Sequence, residues 1–290
     1  MGPKDMMSAM MMLKRLLRTL RPRAALPPRN RNLISSYDSS APVDYETRAV
    51  AFFDILGWRQ AVDNSASDHE LRRKLLNAVW FFAARTKSYV EEDTVDHPSH
   101  DEVSQFSDSL IVSFPYSDER DLFRLLKFVT EFQTSMLLDG LPIRGGVTVG
   151  PLFHSGAIAF GPAMNTAYHL ESRLAKYPRV IIDHKLDGDV ELLDLVKPIH
   201  WPFVVKDSDE YFSTDFLTGY AMTIKLAQHL DEKIDAWLKL YQNDDKVLIK
   251  YTWLKERWLA AKADAGWRVA IRDKLYADFH TGRSQTASKE

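Results

Sequence analysis

Residues 50–58, VAFFDILGW, are apolar throughout except for Asp54 at the centre, and the run 48–55 predicts a buried strand. Residues 69–92 carry apolar positions at helical spacing with charges opposite, predicting a helix, and 93–101 is polar. QFSDSLIVSFP (105–115) predicts two short strands joined by a Ser-Asp turn, a turn chemistry those side chains favour. Helical periodicity returns over 118–138. IRGGVTVG (143–150), set between Pro142 and Gly150, predicts a further strand. Residues 162–176 predict a helix with proline at its start, where a missing N–H costs nothing. PRVIID (178–183) predicts a strand, and short runs near 202–206 and 210–217 predict an outer hairpin. The order strand, helix, hairpin, helix, strand, helix, strand predicts an α+β domain of ferredoxin-like βαββαβ plan with additional strands. An antiparallel sheet covered by helices on one face is expected.

The flanks have a different texture. Residues 21–47 hold four prolines and many small polar residues, which is linker chemistry, so residues 1–47 are expected to be a mobile leader and linker. The Met-rich, basic stretch 6–23 has a short apolar run followed by its charges, the reverse of a secretory signal. An amphipathic surface helix and a plain mobile leader both fit it. Residues 220–275 read as mostly helical, with Trp237, Trp253, Trp258 and Trp267 among charges. A catalytic-type domain over 48–219 and a helical C-terminal extension over 220–290 follow.

Composition changes this picture little. The 290 residues are 45% hydrophobic and 27% charged, an ordinary globular balance. A formal net charge of −2 gives no global pull toward nucleic acid or anionic membrane. No apolar run reaches the roughly 20 residues of a spanning helix. The chain has no cysteine, which excludes disulfides and thiolate metal sites and makes a reducing cytoplasm the expected location.

An ionised carboxylate inside an apolar strand is costly unless something compensates it. In a βαββ plan the first strand lies beside the hairpin, so Asp54 and Asp108, 54 positions apart, could approach each other at the sheet's end. Paired carboxylates suit one or two Mg²⁺ or Mn²⁺ ions that bridge to substrate phosphates. A helix-capping Asp54 and a turn-forming Asp108 account for the same residues without any metal.

FFDILGW, FSDSLIVSF, IRGGVTVGPLFHSG and FGPAMNTAYHLES, in that order, resemble the successive motifs of class III nucleotidyl cyclases across residues 48–217. Within that class the wording is similar to the pyrimidine cyclases of the Pycsar antiphage system. The resemblance implies that Asp54 and Asp108 hold two divalent metal ions, Mg²⁺ or Mn²⁺, with the backbone carbonyl of Ile55 touching one. It implies that Arg144 contacts the triphosphate and that Asn165 orients the ribose. Lys206 falls where the family has a phosphate-binding lysine, although the glycines around that lysine are missing here.

Two departures matter. His169 stands where the family has an arginine that stabilises charge on the α-phosphate. A spacing of four keeps it on Asn165's helix face, but imidazole lacks the guanidinium fork. An inert histidine, with Arg173 or another arginine supplying the charge, is the alternative. At the two base-reading positions stand Ser104 and Ile158, in place of the lysine and aspartate of adenylyl cyclases and without the acid of guanylyl cyclases. The purine codes are absent, and the resemblance to the pyrimidine cyclases implies a pyrimidine, UTP ahead of CTP, as the substrate. A degenerate site fits the same absence.

By the resemblance, the ribose 3′-oxygen attacks the α-phosphorus in line and expels pyrophosphate, leaving a 3′,5′-cyclic nucleotide. It further implies a twofold homodimer with composite sites and a separately encoded effector that reads the cyclic nucleotide. Rival readings are a purine cyclase, a diguanylate-type synthase, which lacks its turn motif here, a non-catalytic nucleotide sensor, and an interaction protein acting through the Trp-rich helices.

Overall fold

The computed structural model describes residues 44–77, 79–80, 101–195, 204–218 and 224–286. The expected leader and most of the linker, and residues 81–100, lie outside them. β1 (Glu46–Ile55) begins two residues before the expected strand. Gly57, at φ 79°, turns the chain into α1 (Trp58–Ser65), a short helix the periodicity did not predict. Helix follows over 69–77. β2 (Glu102–Phe106) and β3 (Ser109–Pro115) form the expected hairpin, with Ser107 at φ 55° in the turn. Then come α2 (Glu119–Leu138), whose N-terminus Asp118 caps, and β4 (Ile143–Ser155). β4 runs through Pro151 well past the expected end at Gly150 and pairs back on β5 (Ile158–Phe160). α3 (Pro162–His169) leads into a π-helical turn, Leu170–Leu174, rather than continuing as α-helix to 176. β6 (Val180–Ile182), α4 (Asp187–Leu195), β7 (Val204–Lys206) and β8 (Phe212–Thr214) complete the sheet region.

The strands form one sheet in the order β2-β3-β1-β4-β6-β8-β7, with β5 attached to β4. β1 to β4 pair antiparallel with one another. The order β4-β1-β3-β2 is that of a ferredoxin-like βαββαβ core, so the fold is α+β with additional strands. β6 joins parallel to β4, as a strand reached by a crossover does.

The helices do not share one face. Phe53 packs on Phe132 of α2, with ring centroids 5.5 Å apart. Its neighbours Val50 and Phe52 cluster with Ala163 and Ala167 of α3. Successive strand side chains point to opposite faces, so α2 and α3 cover opposite sides of the sheet. This corrects the one-face expectation. Sequence pattern alone could not show it, because β1 is apolar at odd and even positions alike.

Gly145 and Gly146 sit where that sandwich is tightest. A Cβ on Gly146 would lie 2.5 Å from both the Ala167 carbonyl oxygen and the Leu170 Cβ. The glycine therefore lets the end of α3 rest directly on β4. On the far side, buried Arg179 binds Asp207 at 2.8 Å and also pairs with Asp209, which ties the entry of β6 to the β7–β8 hairpin.

The chain divides into two compact units, one holding this sheet and ending at Thr214, the other containing the chain from Asp215 onward. In the second unit α5 (Ile224–Leu240) and α6 (Asp245–Thr286) pack together. Leu230, Ile234, Leu254 and Trp258 are buried there, and the Trp258 indole donates to Asp231 at 2.8 Å. No helix among the described residues is long and apolar enough to cross a membrane.

Candidate active site

Register decides what Asp54 faces. It pairs with Ser109 across the β1–β3 ladder, beside the turn residue Asp108, and with Arg144 across the β1–β4 ladder. The Asp108 carboxyl lies within hydrogen-bonding reach of Asp54. Arg144 donates to the Asp54 carboxylate at 3.1 Å. The structure thus brings together three of the residues singled out in the sequence, Asp54, Asp108 and Arg144, on the sheet face that carries α3.

A fourth member had no sequence signal. The π-helical turn, closed by the Ala175 N–H on the Leu170 carbonyl at 2.8 Å, presents Glu171 to this cluster. Glu171 is 3% exposed, and its carboxylate stands 2.6 Å from Arg144 Nε, close enough for an ion pair but off the line of a hydrogen bond. In a regular helix Glu171 reads as a surface charge. Only the second glycine of the GG pair, which marks a close approach to β4, hints at it.

The electrostatics follow from three acids around one guanidinium. Burial, then the neighbouring Asp108, pushes the Asp54 carboxyl up to about 6 against the opposing pull of Arg144. Burial pushes Glu171 up to about 7, Arg144 again opposing and Asp54 and Asp108 adding to the rise. One arginine leaves the group short of positive charge. That shortage, with hard oxygen donors from Asp54 and Asp108, fits a divalent cation such as Mg²⁺ or Mn²⁺. Among the described residues no cluster of three or more His, Asp or Glu side chains is arranged to hold a metal. Further ligands would therefore come from backbone oxygen or from substrate. Ile55, the last residue of β1, has a buried side chain and can offer only its carbonyl.

Beside this cluster lies a cavity of about 560 Å³, lined among others by Phe52, Ser104, Ile111, Met164, Asn165 and Tyr168. Its size is that of a small-molecule site. Asn165 and His169 are both exposed on α3. Ser104 is on β2 and 8% exposed. β5 contributes Ala159 and the turn before it Ala157, while Ile158 between them is 52% exposed. Strand alternation thus turns Ile158 away from the cavity, which Ala157 and Ala159 line on that side. Lys206 stands apart within the chain. It is on β7, four strands from β1 and so about 19 Å away by strand spacing. Its ammonium binds Glu210 at 3.0 Å.

No protein-family model matches the chain. No curated protein matches it either. Solved structures do overlap with it. A bacterial light-regulated adenylyl cyclase superposes at a TM-score of 0.41 with 14% identity, covering 78% of this chain and 69% of the other. A class III adenylyl cyclase-like ATP-binding protein from Pseudomonas aeruginosa gives 0.42 with 12% identity, covering 77% of this chain and 47% of the other. Superpositions this loose carry no argument, and the fold assignment rests on strand order and register.

Proposed function

We propose that the protein is a nucleotidyl cyclase that converts a pyrimidine nucleoside triphosphate, UTP ahead of CTP, into its 3′,5′-cyclic monophosphate and pyrophosphate. The product would serve as a second messenger in antiphage defence, read by a separate effector. The observation that carries the chemistry is the meeting of Asp54 and Asp108 at the end of β1, short of positive charge. Two divalent ions bound there would activate the ribose 3′-hydroxyl and neutralise the β- and γ-phosphates. Arg144, held between Asp54 and Glu171, has the bidentate guanidinium that suits a triphosphate oxygen. Asn165, on the cavity wall, would orient the ribose, and His169 one turn on is the candidate donor to the α-phosphate. Lys206, remote from β1 in its own chain, is assigned to phosphate binding on the motif resemblance alone.

A homodimer with composite sites is part of the reading. It is supported by apolar side chains exposed at the cavity, Phe106 at 83% and Tyr168 at 53%. The deciding experiment incubates purified protein with Mn²⁺ and each of the four ribonucleoside triphosphates. Turnover of UTP, lost in Asp54→Ala and in Asp108→Ala, is expected. A mixture of Asp54→Ala and Asn165→Ala chains should regain activity once subunits exchange. Binding of a triphosphate without turnover would make the protein a nucleotide sensor, and turnover of ATP or GTP instead would overturn the pyrimidine assignment.

A further inference from the structure

Behind the cavity wall runs a chain of polar side chains that the cluster around Asp54 does not use. Arg48, Ser113 and His154 are each 0% exposed, and they lie on β1, β3 and β4. Arg48 Nε donates to Ser113 Oγ at 2.8 Å, and Arg48 also donates to the Ser113 carbonyl at 2.9 Å. Ser113 Oγ is 2.8 Å from His154 Nδ1. His154 Nε2 is 2.7 Å from Ser104 Oγ, and Ser104 Oγ is 2.6 Å from the Gly156 carbonyl oxygen.

Proton counting gives these contacts one direction. A carbonyl oxygen only accepts, so the single hydroxyl proton of Ser104 goes to Gly156. Ser104 then has no proton for His154, and Nε2 must carry the hydrogen. In the neutral imidazole Nδ1 is left with a lone pair, which takes the Ser113 proton, and Ser113 in turn accepts from Arg48. Every contact is satisfied at once. The reverse direction leaves the 2.6 Å approach of Ser104 to Gly156 with no proton between two oxygens. The guanidinium at one end, which cannot accept, and the carbonyl at the other, which cannot donate, fix the sense of the whole relay.

The consequence falls on the cavity, which Ser104 lines. A serine hydroxyl normally adapts, because it has one proton and two lone pairs. Here the proton and one lone pair are committed, and what remains is an acceptor. We propose that the Arg48–Ser113–His154 relay holds Ser104 as a fixed hydrogen-bond acceptor, so that the cavity selects a nucleobase presenting an N–H at that point. His154 is accordingly a positioning residue for base recognition. Resting on the pyrimidine-cyclase reading above, the inference names the contact. Uracil has one Watson–Crick N–H, at N3, and that group faces Ser104 Oγ.

The test compares UTP with 3-methyl-UTP, which lacks the N3 proton, in the Mn²⁺ turnover assay. Wild type is expected to prefer UTP in kcat/KM by about tenfold or more, since a site built for a donor rejects an analogue that leaves it unpaired. Ser104→Ala should bring the ratio to within about threefold, chiefly through KM for UTP, and Ser104→Thr should preserve it. His154→Phe should lower the ratio in the same direction although it touches no substrate. A purely structural role for the relay predicts loss of stability with an unchanged ratio. Equal use of the two triphosphates by wild type would overturn the inference while leaving the cyclase reading intact. Turnover of no triphosphate would remove the reading on which the base contact rests, and with it the contact. The relay is checked independently by ¹⁵N NMR of the wild-type histidines. The signal lost in His154→Phe should carry the Nε2–H tautomer, and an Nδ1–H tautomer would refute the assigned direction even where activity cannot be measured.

Discussion

Replacing Glu171 by glutamine removes a buried acid whose burial disfavours its charge. A rise from 4.5 to about 7 corresponds to roughly 3 kcal/mol of preference for the neutral form. The sign follows from where protons sit. Below 4.5 the folded and unfolded chains both hold the Glu171 proton. Between 4.5 and about 7 the unfolded chain releases it while the folded chain keeps it, so stability falls as pH rises. Above about 7 both are ionised and the whole cost is present. The glutamine side chain has the same shape and no proton to lose, although Arg144 would then keep only Asp54 as a charged partner. Urea unfolding of wild type and Glu171→Gln, in EDTA and followed by far-UV circular dichroism, measures the difference. The variant should match wild type near pH 4 and exceed it by about 2–3 kcal/mol near pH 8. A gap independent of pH, or one that closes as pH rises, would mean that Glu171 is not buried among Asp54 and Asp108 as described.

Other outcomes follow from the same geometry. Because Asp54 is held up at about 6, Mn²⁺ binding near pH 6 should release a fraction of a proton that vanishes near pH 8. Calorimetry in two buffers of different ionisation heat reads it, and Asp54→Asn should abolish it. Gly146→Ala places a carbon 2.5 Å from the Ala167 carbonyl and should cost about 3 kcal/mol or more in thermal or urea unfolding. In the second unit, Trp258→Phe leaves the ring volume largely filled but loses the indole bond to Asp231, a cost of about 1–2 kcal/mol by the same measurement.

Much of the βαββ core was legible because each element carried its own period. The alternating hairpin, the helical repeat of 118–138 and the proline at the start of α3 each matched local chemistry to final structure. Strand adjacency in that plan let Asp54 and Asp108 approach each other, and the motif resemblance marked them as a pair. What escaped the sequence depends on approach between elements. The expected strand stops at Gly150, yet β4 continues through Pro151. The π-helical turn has no compositional mark, so nothing in the helix expected over 162–176 singles out Glu171. His154, in GPLFHSG, carries no periodic signal, and its contacts emerge only when β3 and β2 bring serines to both ring nitrogens. Ile158 was placed in the cavity by counting along the chain, and the pleat of β5 turned it outward. The opposite placement of α2 and α3 was hidden because a strand apolar at every position does not say which face meets which helix.

β1 lies in the interior of the sheet, paired on both edges and covered on both faces, with residues 49–53 essentially sealed from solvent. Its amides can reach deuterium only when the sheet unit opens as a whole, so they should be among the slowest to exchange in the protein. Asp54 is anchored to that slowest segment, whereas Asp108 rides on a two-residue turn. On the time scale of local opening, one acid of the pair is a fixed post and the other is hinged, and any adjustment of the spacing between them must come from the hairpin.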